Sequence, residues 1–502
     1  MGLYDYTVYN IIVRNAKVYG DGIGWIFGSE RITHIQFLER VDRLASGLLS
    51  LGVERGDRIG VLAQNNMEYV YLYGAAAKIG AIMLPINWRL QPEEVEYVIS
   101  DCSPKVMFVG TDFQSLASPS IPKFDFIERC YAMGTAEGNF AAFEDLMEND
   151  GSCPELDVHA DDAYVIVHTA AVAGRPRGAI LSHHSLILAN LQAMSIWNMT
   201  EKSCNLGMLP LFHVAGLGTM LNVMQAGGTN VILARFDADL ALKHIHEDKV
   251  TIFTEFAPML ATLLDKNEEL KYDLSSLEVV GGLELPETAR RFEEVTGGTF
   301  WIGFGQTETS GFVTYAPYFE REGSAGVSAV TAEVEIANEH GNFVEPGTSG
   351  EIVVRGPTVF KGYWNLEKDN EYNFRGGWHH TGDMGRFDED GYLWYMGRMP
   401  EKELIKPGGE NVYPAEVEGA ILDHPLIEEA SVIGVPDKQW GEAIKAICVL
   451  KEGETLAETE LIEFVASKIA RFKKPKHVVY VSQLPKTEDG AIDRGKIKAE
   501  HG

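Results

Sequence analysis

Short apolar runs alternate with stretches of helical spacing from Ile32 to about Met396, a pattern that predicts layered α/β structure. Thr33 to Leu51 has helical spacing, 57-DRIGVLAQN-65 opens with a strand, Met67 to Ile79 is helical again, and 105-KVMFVG-110 is a strand. Together they make a βαβ run. Strand-like segments recur at Ser203 to Met208, Thr229 to Leu233, Leu277 to Val280 and Thr299 to Phe304. Between about 326 and 396 the pattern shortens: 333-EVEIANEHGNFVEPGTSGEIVVRG-356 and 385-GRFDEDGYLWYMGR-398 predict hairpins, with His340-Gly341 and Asp390-Gly391 at their tips. After the charged stretch 399-MPEKE-403 comes a compact unit. It has a helix near Pro414 to Leu422, strands near Ala430 to Val435 and Lys445 to Leu450, a helix at Glu458 to Ile469 and a strand at Val478 to Val481. The predicted fold class is therefore α/β. Residues 1–398 form a large N-terminal domain of layered α/β subdomains with a β-rich subdomain at about 326–396, residues 399–403 a hinge, and residues 404–502 a small mobile α+β domain.

Charge narrows the function classes. The chain has 43 Lys and Arg against 73 Asp and Glu, a net charge of −30. Such a surface repels nucleic acid and anionic lipid, so an anionic ligand needs a local basic patch. The most hydrophobic run, Gly74 to Ile86, is interrupted by Lys78 and Pro85 and is too short to span a bilayer. The opening MGLYDYTVYNII has no basic segment followed by an apolar core, and Tyr6 stands where a myristoylation signal wants Ser or Thr. Five dispersed cysteines with no metal-ligand spacing suit free thiols in a reducing cytoplasm. A homodimer is left open.

Four stretches carry candidate chemistry. In 164-YVIVHTAAVAGRPRGAILSHHSL-186 a buried strand runs into a Gly-rich loop with two arginines and then into helical spacing with Ser182 as a cap. A strand–loop–helix of that kind turns backbone N–H groups toward one point and can cradle phosphate, although basic surface turns are also common. In 299-TFWIGFGQTETSG-311, Phe304 between glycines can lie flat against a purine, Thr307 can bond a phosphoryl oxygen, and Glu308 offers the hard oxygen that Mg²⁺ prefers. In 378-WHHTGDMGRF-387, Asp383 can grip two ribose hydroxyls or merely cap a turn. In 397-GRMPEKELIKPGGENVYPAEVE-418, Gly408, Gly409 and Glu410 form a tight loop before a helix.

The order and spacing of these motifs, with Pro-Leu-Phe-His at 210–213, Gly281-Gly282, 350-GEIVVRGP-357 and 361-KGYWN-365, resemble the adenylate-forming superfamily over nearly the whole chain. The Gly408 to Glu418 run and the Asp437 to Glu442 segment look most like its medium-chain, fatty and aromatic acyl-CoA synthetases. The resemblance implies an acid–thiol ligase: a carboxylate attacks the α-phosphorus of ATP, pyrophosphate leaves, and the thiol of CoA then displaces AMP from the acyl-AMP. It also implies roles. Thr169, Gly174, Arg177 and Gly178 form the phosphate loop, Phe304 stacks on adenine, and Gly282, Gly305 and Gln306 lie with the nucleotide-binding residues. Thr307 touches the α-phosphate, Glu308 holds Mg²⁺, and Asp383 and Arg398 clasp the ribose. His213 lines the acyl pocket and gates the carboxylate, with a satisfied core histidine as the competing reading. Lys402 lies nearest the hinge position, which can slip to Glu401 or Glu403, and Gly408, Gly409 and Glu410 face the CoA channel. Arg471 and Lys473, in 471-RFKKPKH-477, suit CoA phosphates or simply cap a solvated helix end. The acyl pocket brings together Val214, Phe253, Phe256, Leu283 and Phe304, which suits an apolar aliphatic, cyclic or aromatic acid, while Glu255 among them reads as a polar contact or a strand-end charge. An adenylating module that loads a carrier protein and a catalytically silent acyl or nucleotide binder are the rival readings.

Two departures from the superfamily pattern stand out. The phosphate loop lacks the hydroxyls of Thr-Ser-Gly-Thr-Thr-Gly and reads Thr169-Ala170-Ala171-Val172-Ala173-Gly174, with Arg177 in place of lysine. The C-terminal motif keeps Thr487, Gly490, Asp493 and Arg494 in register but has Ala491 where the resemblance implies the catalytic lysine. The alanine is either a natural loss or a deliberate replacement, and the intact flanks favour the second. Ala491→Lys is expected to speed pyrophosphate release by about 10²–10⁴-fold, the size of one strong electrostatic contact in a transition state. A pyrophosphate-coupled assay checks this, and no gain in rate leaves the natural-loss reading.

Overall fold

The computed structural model describes residues 2–172, 175–269, 271–399, 404–410, 412–437, 440–487 and 492–502. They form a large N-terminal α/β domain and a smaller C-terminal one. Two large sheets organise the first. In the nine-stranded sheet, Cys204–Gly207, Thr229–Ile232, Ile252–Phe256, Val279–Leu283 and Thr299–Ile302 pair in parallel. In the seven-stranded sheet, Arg58–Leu62, Ile82–Pro85 and Val106–Gly110 do the same. Between them lie the helices Met67–Ile79 and Val214–Ala226. Their sequences explain the placement. Val70, Tyr71, Leu72 and Tyr73 are consecutive and all buried, as are Met220 to Ala226, and a helix apolar on every side is stable only with protein on every side. The one core they build takes Val61 and Phe108 from one sheet and Trp25 and Ile232 from the other.

The predicted hairpins are present. Glu333–Ala337 pairs with Gly350–Arg355, and His379–Phe387 with Leu393–Arg398, inside a four-stranded antiparallel sheet. His340-Gly341 and Asp390-Gly391 lie in their turns, with Gly391 N–H donating to Asp388 O at 3.1 Å. The C-terminal domain packs the helices Pro414–Leu422 and Glu458–Lys468 on a sheet of Ile427–Asp437, Gly441–Leu450 and His477–Tyr480.

The first candidate motif folds differently from the expectation. Ala163–Val172 and Arg175–Ser182 form an antiparallel hairpin, and only then does the helix His183–Ile196 begin. Ser182 is its cap as predicted, accepting from Ser185 N–H at 3.0 Å. In place of the strand–loop–helix cradle stand two paired strands before the helix. The apolar run Ala179-Ile180-Leu181 reads equally as helix or strand by periodicity, and pairing with Ile166 and Val165 decides it. The helix N-terminus is a full strand away from Arg175, so its N–H groups do not serve a phosphate there. Gly174 lies outside the described residues, as do Lys402 and Ala491.

The domains meet at Lys473. Its Nζ lies 2.5 Å from Glu94 of the large domain and 2.6 Å from Glu416 of the small one, with the lysine buried and the two carboxylates largely so. Burial alone would discharge the ammonium, and the two carboxylates outweigh it, raising its pKa. Beside it Gln91 Nε2 donates to Ala466 O at 3.4 Å, and Arg89 pairs with Glu410. This corrects the expectation of Lys473 as a phosphate ligand, because its buried ammonium already spends its charge on two of the protein's own carboxylates. Arg471, by contrast, is exposed and paired with Glu463 at 3.4 Å. Lys473→Met leaves two buried carboxylates facing each other and is expected to weaken domain docking by about 3–5 kcal/mol. Small-angle scattering checks this as a larger radius of gyration, and an unchanged radius contradicts it.

Candidate active site

The parallel strands Ile252–Phe256, Val279–Leu283 and Thr299–Ile302 end together, and a cavity of about 420 Å³ opens at their carboxyl ends. That is where an α/β sheet leaves room, because the connections diverge there. Gly282 shows how tightly it is built: a Cβ would sit 2.1 Å from the Glu255 carbonyl oxygen. A second, narrow cavity of about 70 Å³ is lined by Leu90, Phe212, Glu410, Phe472 and Lys473 from the two domains. Thr169, His213 and Thr307 line both.

One end of the large cavity is charged and tied together by hydrogen bonds. Glu308 is buried in a tight turn, and Tyr363 Oη donates to its Oε1 at 2.7 Å. Arg177 lies over the Tyr363 ring, 3.9 Å from its centroid, and donates to Tyr363 Oη at 3.1 Å. Asp383 is 2 % exposed and forms an ion pair with Arg398 at 3.0 Å across neighbouring strands. The Gln306 amide donates to Asp383, and Tyr395 Oη donates to its other oxygen at 3.1 Å. Phe304 and Tyr395 stack at 6.1 Å along the same wall, with Gly305 and Thr307 beside them. Lys406 and Tyr413 reach in from the small domain, and burial, then Arg398, lowers the Lys406 pKa. Among described residues, none from 414 to 502 lines this cavity.

Most residues singled out in the sequence meet here: Arg177, Thr169, His213, Gly282, Phe304, Gly305, Gln306, Thr307, Glu308, Asp383 and Arg398 all line the cavity. Glu410 lines the narrow one instead. Gly408 adopts φ 59° against Trp440, where a Cβ would come within 2.8 Å of the indole, and Gly409 completes that turn. Gly178 is a correction. It pairs with His168 inside the hairpin, and a Cβ would meet the Ile166 side chain at 2.6 Å, so close strand packing accounts for this glycine. Phe253 is a second: it faces the opposite core with Leu260 and Leu263, while Thr254 and Phe256, on the other face of the strand, line the cavity. Tyr363, Tyr395, Tyr413, Arg89 and Lys406 were not assigned roles from sequence. A tyrosine in a Gly-Tyr-Trp run has no local signal for the carboxylate it will meet 55 residues away.

His213 caps the helix Val214–Ala226, its Nδ1 accepting from Ala215 N–H at 3.2 Å, and meets Phe256 edge to face at 6.1 Å. With Nδ1 accepting, Nε2 carries the hydrogen. Burial, then Arg89 and Lys406, lowers its pKa to about 4. Glu255 also lines the cavity, fully buried with its carboxyl beside Gly282, and burial, then Glu284, raises its pKa well above the carboxylate range.

Comparison with known proteins places these features. The model for the AMP-binding enzyme matches residues 12–364, and that for the AMP-binding enzyme C-terminal domain matches 416–491. An indoleacetate–CoA ligase of Aromatoleum aromaticum is 33% identical over 94% of both chains. The crystal structure of a protein of Rhodopseudomonas palustris, titled a long-chain-fatty-acid CoA ligase, shares 47% identity over 79% of this chain and all of that one, with a TM-score of 0.76. The o-succinylbenzoate CoA synthetase of Bacillus subtilis, bound to a product analogue, superposes with a TM-score of 0.87 at 27% identity over 98% of both chains.

The buried imidazole gives a pH signature. An unfolded chain protonates His213 at about 6.5, the folded one only at about 4. Stability is therefore undiminished above pH 6.5 and falls as the pH drops from about 6.5 to about 4. His183, held neutral to about 4 by burial, adds to the same window. His213→Gln is expected to reduce the difference between urea midpoints at pH 7.5 and 5, and an unchanged difference contradicts the assignment.

Proposed function

We propose that this chain, which belongs to the AMP-binding enzyme family, is an ATP-dependent acyl-CoA ligase that activates a predominantly apolar carboxylic acid as acyl-AMP and passes the acyl group to CoA. The observation that carries the reading is the junction of the two cavities at Thr169, His213 and Thr307. A two-step ligase needs a chamber for nucleotide and acid and a narrow passage by which a thiol reaches the acyl carbon. The 420 Å³ cavity and the 70 Å³ one have those proportions.

In the first step two anions approach, and positioned cations must offset their repulsion. Among the described residues, Arg177 and Lys406 are the cations that line the chamber apart from Arg398, which Asp383 holds. Asp383 takes the ribose hydroxyls in this reading and Phe304 with Tyr395 the base. Glu308 fits Mg²⁺: it is a hard carboxylate at the chamber wall, with Tyr363 fixing one oxygen. A bound Mg²⁺ would neutralise phosphate charge and orient the phosphoryl group. The neutral imidazole of His213, with Nε2–H as donor, lets the acid pass without pairing to it.

In the second step the thiol enters beside Phe212 and Glu410, between the domains. Arg89 holds Glu410 at the mouth, and Lys473 holds the domains in register. Loop residues of the small domain, Lys406 to Tyr413, face the chamber in this arrangement, whereas the segment that carries Ala491 contributes no described residue to it. We assign the arrangement to the thiol-transfer step. Adenylation then requires the small domain to turn about the 399–403 hinge and bring position 491 inward, where alanine supplies no cation.

Incubating the protein with ATP, Mg²⁺, an acid panel and CoA, with AMP and thioester followed separately, tests the reading. Thioester is expected to form rapidly from preformed acyl-AMP and slowly from free acid and ATP. Thioester formation from neither supply contradicts it, and acyl transfer to a carrier protein but not to CoA favours the rival module.

A further inference from the structure

The end of the chamber away from the phosphates carries an unpaired polar pair. The Trp197 indole lines it, is 6 % exposed, and its Nε1–H has no acceptor. Asn222, 8 % exposed, lines the same chamber. Neighbouring contacts place the two together. The benzo edge of Trp197 abuts Gly281, where a Cβ would meet it at 3.0 Å and Thr254 Cγ2 at 3.6 Å. Thr254 Oγ1 meets Thr219 Oγ1 at 2.8 Å, and Asn222 follows Thr219 by three residues on the same helix face. Thr219 also donates to Ala215 O at 2.9 Å, so the threonines satisfy each other and the helix, while the indole and the amide are left over. A buried donor without a partner is costly. A ligand group that pairs with it recovers that cost.

We infer that Asn222 and Trp197 form a specificity subsite for an uncharged hydrogen-bonding group, a hydroxyl, on the distal end of the acid. The inference rests on the acyl-CoA ligase reading and sharpens its substrate class. Charge excludes a distal carboxylate: the chamber's cations Arg177, Lys406 and Arg398 lie with Glu308 and Asp383 at the other end, and Glu255, a buried acid on the wall, supplies no cation. Length excludes a long alkyl tail. His213 caps the helix on which Asn222 lies nine residues later, roughly 13 Å at 1.5 Å per residue. Trp197 and Tyr315, edge to face at 5.6 Å, wall that end. A ring on a short arm, with a hydroxyl opposite the arm, fills such a space.

The test uses phenylpropanoic acid and its para-hydroxy and para-carboxy derivatives, each supplied as the preformed acyl-adenylate so that the step slowed at position 491 is bypassed. Binding is measured by calorimetry and thioester formation with CoA separately. The para-hydroxy adenylate is expected to bind about fivefold more tightly than the unsubstituted one, the usual size of one uncharged hydrogen bond, and the para-carboxy adenylate most weakly. Asn222→Leu brings the hydroxy-to-unsubstituted ratio close to one, and Trp197→Phe lowers it by a smaller factor. Equal binding of the hydroxy and unsubstituted adenylates to the parent protein, or a ratio unmoved in both variants, overturns the inference. The expected binding order without thioester upholds the subsite and defeats the ligase reading, whereas binding of none defeats the subsite.

Discussion

Parallel pairing of Ile252–Phe256, Val279–Leu283 and Thr299–Ile302 is the constraint on which the rest depends. Phe256 stands opposite Leu283, and Gly281 opposite Trp301, so the three strands run out at one level. Backbone polar groups are satisfied up to that level and the chain must then turn away, which leaves a crevice that side chains cannot close. Every chemically active segment reaches it from elsewhere: the hairpin carrying Arg177, the turn carrying Glu308, the four-stranded sheet carrying Asp383 and Arg398, and the Lys406 loop of the small domain. A local fault in the register of these strands would therefore move four independent groups against one another.

Within that crevice polar groups are held by neighbours of unlike character. Glu308 is fixed by a phenol rather than by a cation, which leaves its charge available for a ligand. Arg177 lies flat on the same phenol and keeps part of its guanidinium free of full carboxylate pairing, its contact with Asp369 being long at 3.4 Å. Asp383 is the opposite case, with Arg398, Gln306 and Tyr395 converging on two oxygens. A carboxylate so held has one orientation, which suits recognition of a fixed diol better than proton transfer.

The sequence made the layers legible because their signals are local. Met67–Ile79 and the hairpin turns at His340-Gly341 and Asp390-Gly391 follow from periodicity and turn chemistry alone. The motif residues from Gly303 to Glu308 and at Asp383 were legible because glycine and carboxylate spacing within a few residues already constrains the backbone. What was not legible was set by partners far away. Ala179 to Leu181 became strand through pairing with Val165 and Ile166, and Lys473 became an interdomain bridge through Glu94, 379 residues earlier. Phe253 was misjudged for a simpler reason: alternation fixes which residues share a face, and only the flanking helix shows which face is the chamber.

The domain junction resolves a tension in the composition. A chain with net charge −30 must admit polyanionic substrates, and its densest basic run spends Lys473 on two of the protein's own carboxylates. Burying that triad leaves a net negative cluster between the domains, so the docked state is held by one cation shared between two anions, and geometry decides whether it closes. An interface of this kind is specific in register yet shallow in energy. A joint of that kind suits the rearrangement that the proposed two-step cycle asks of the small domain.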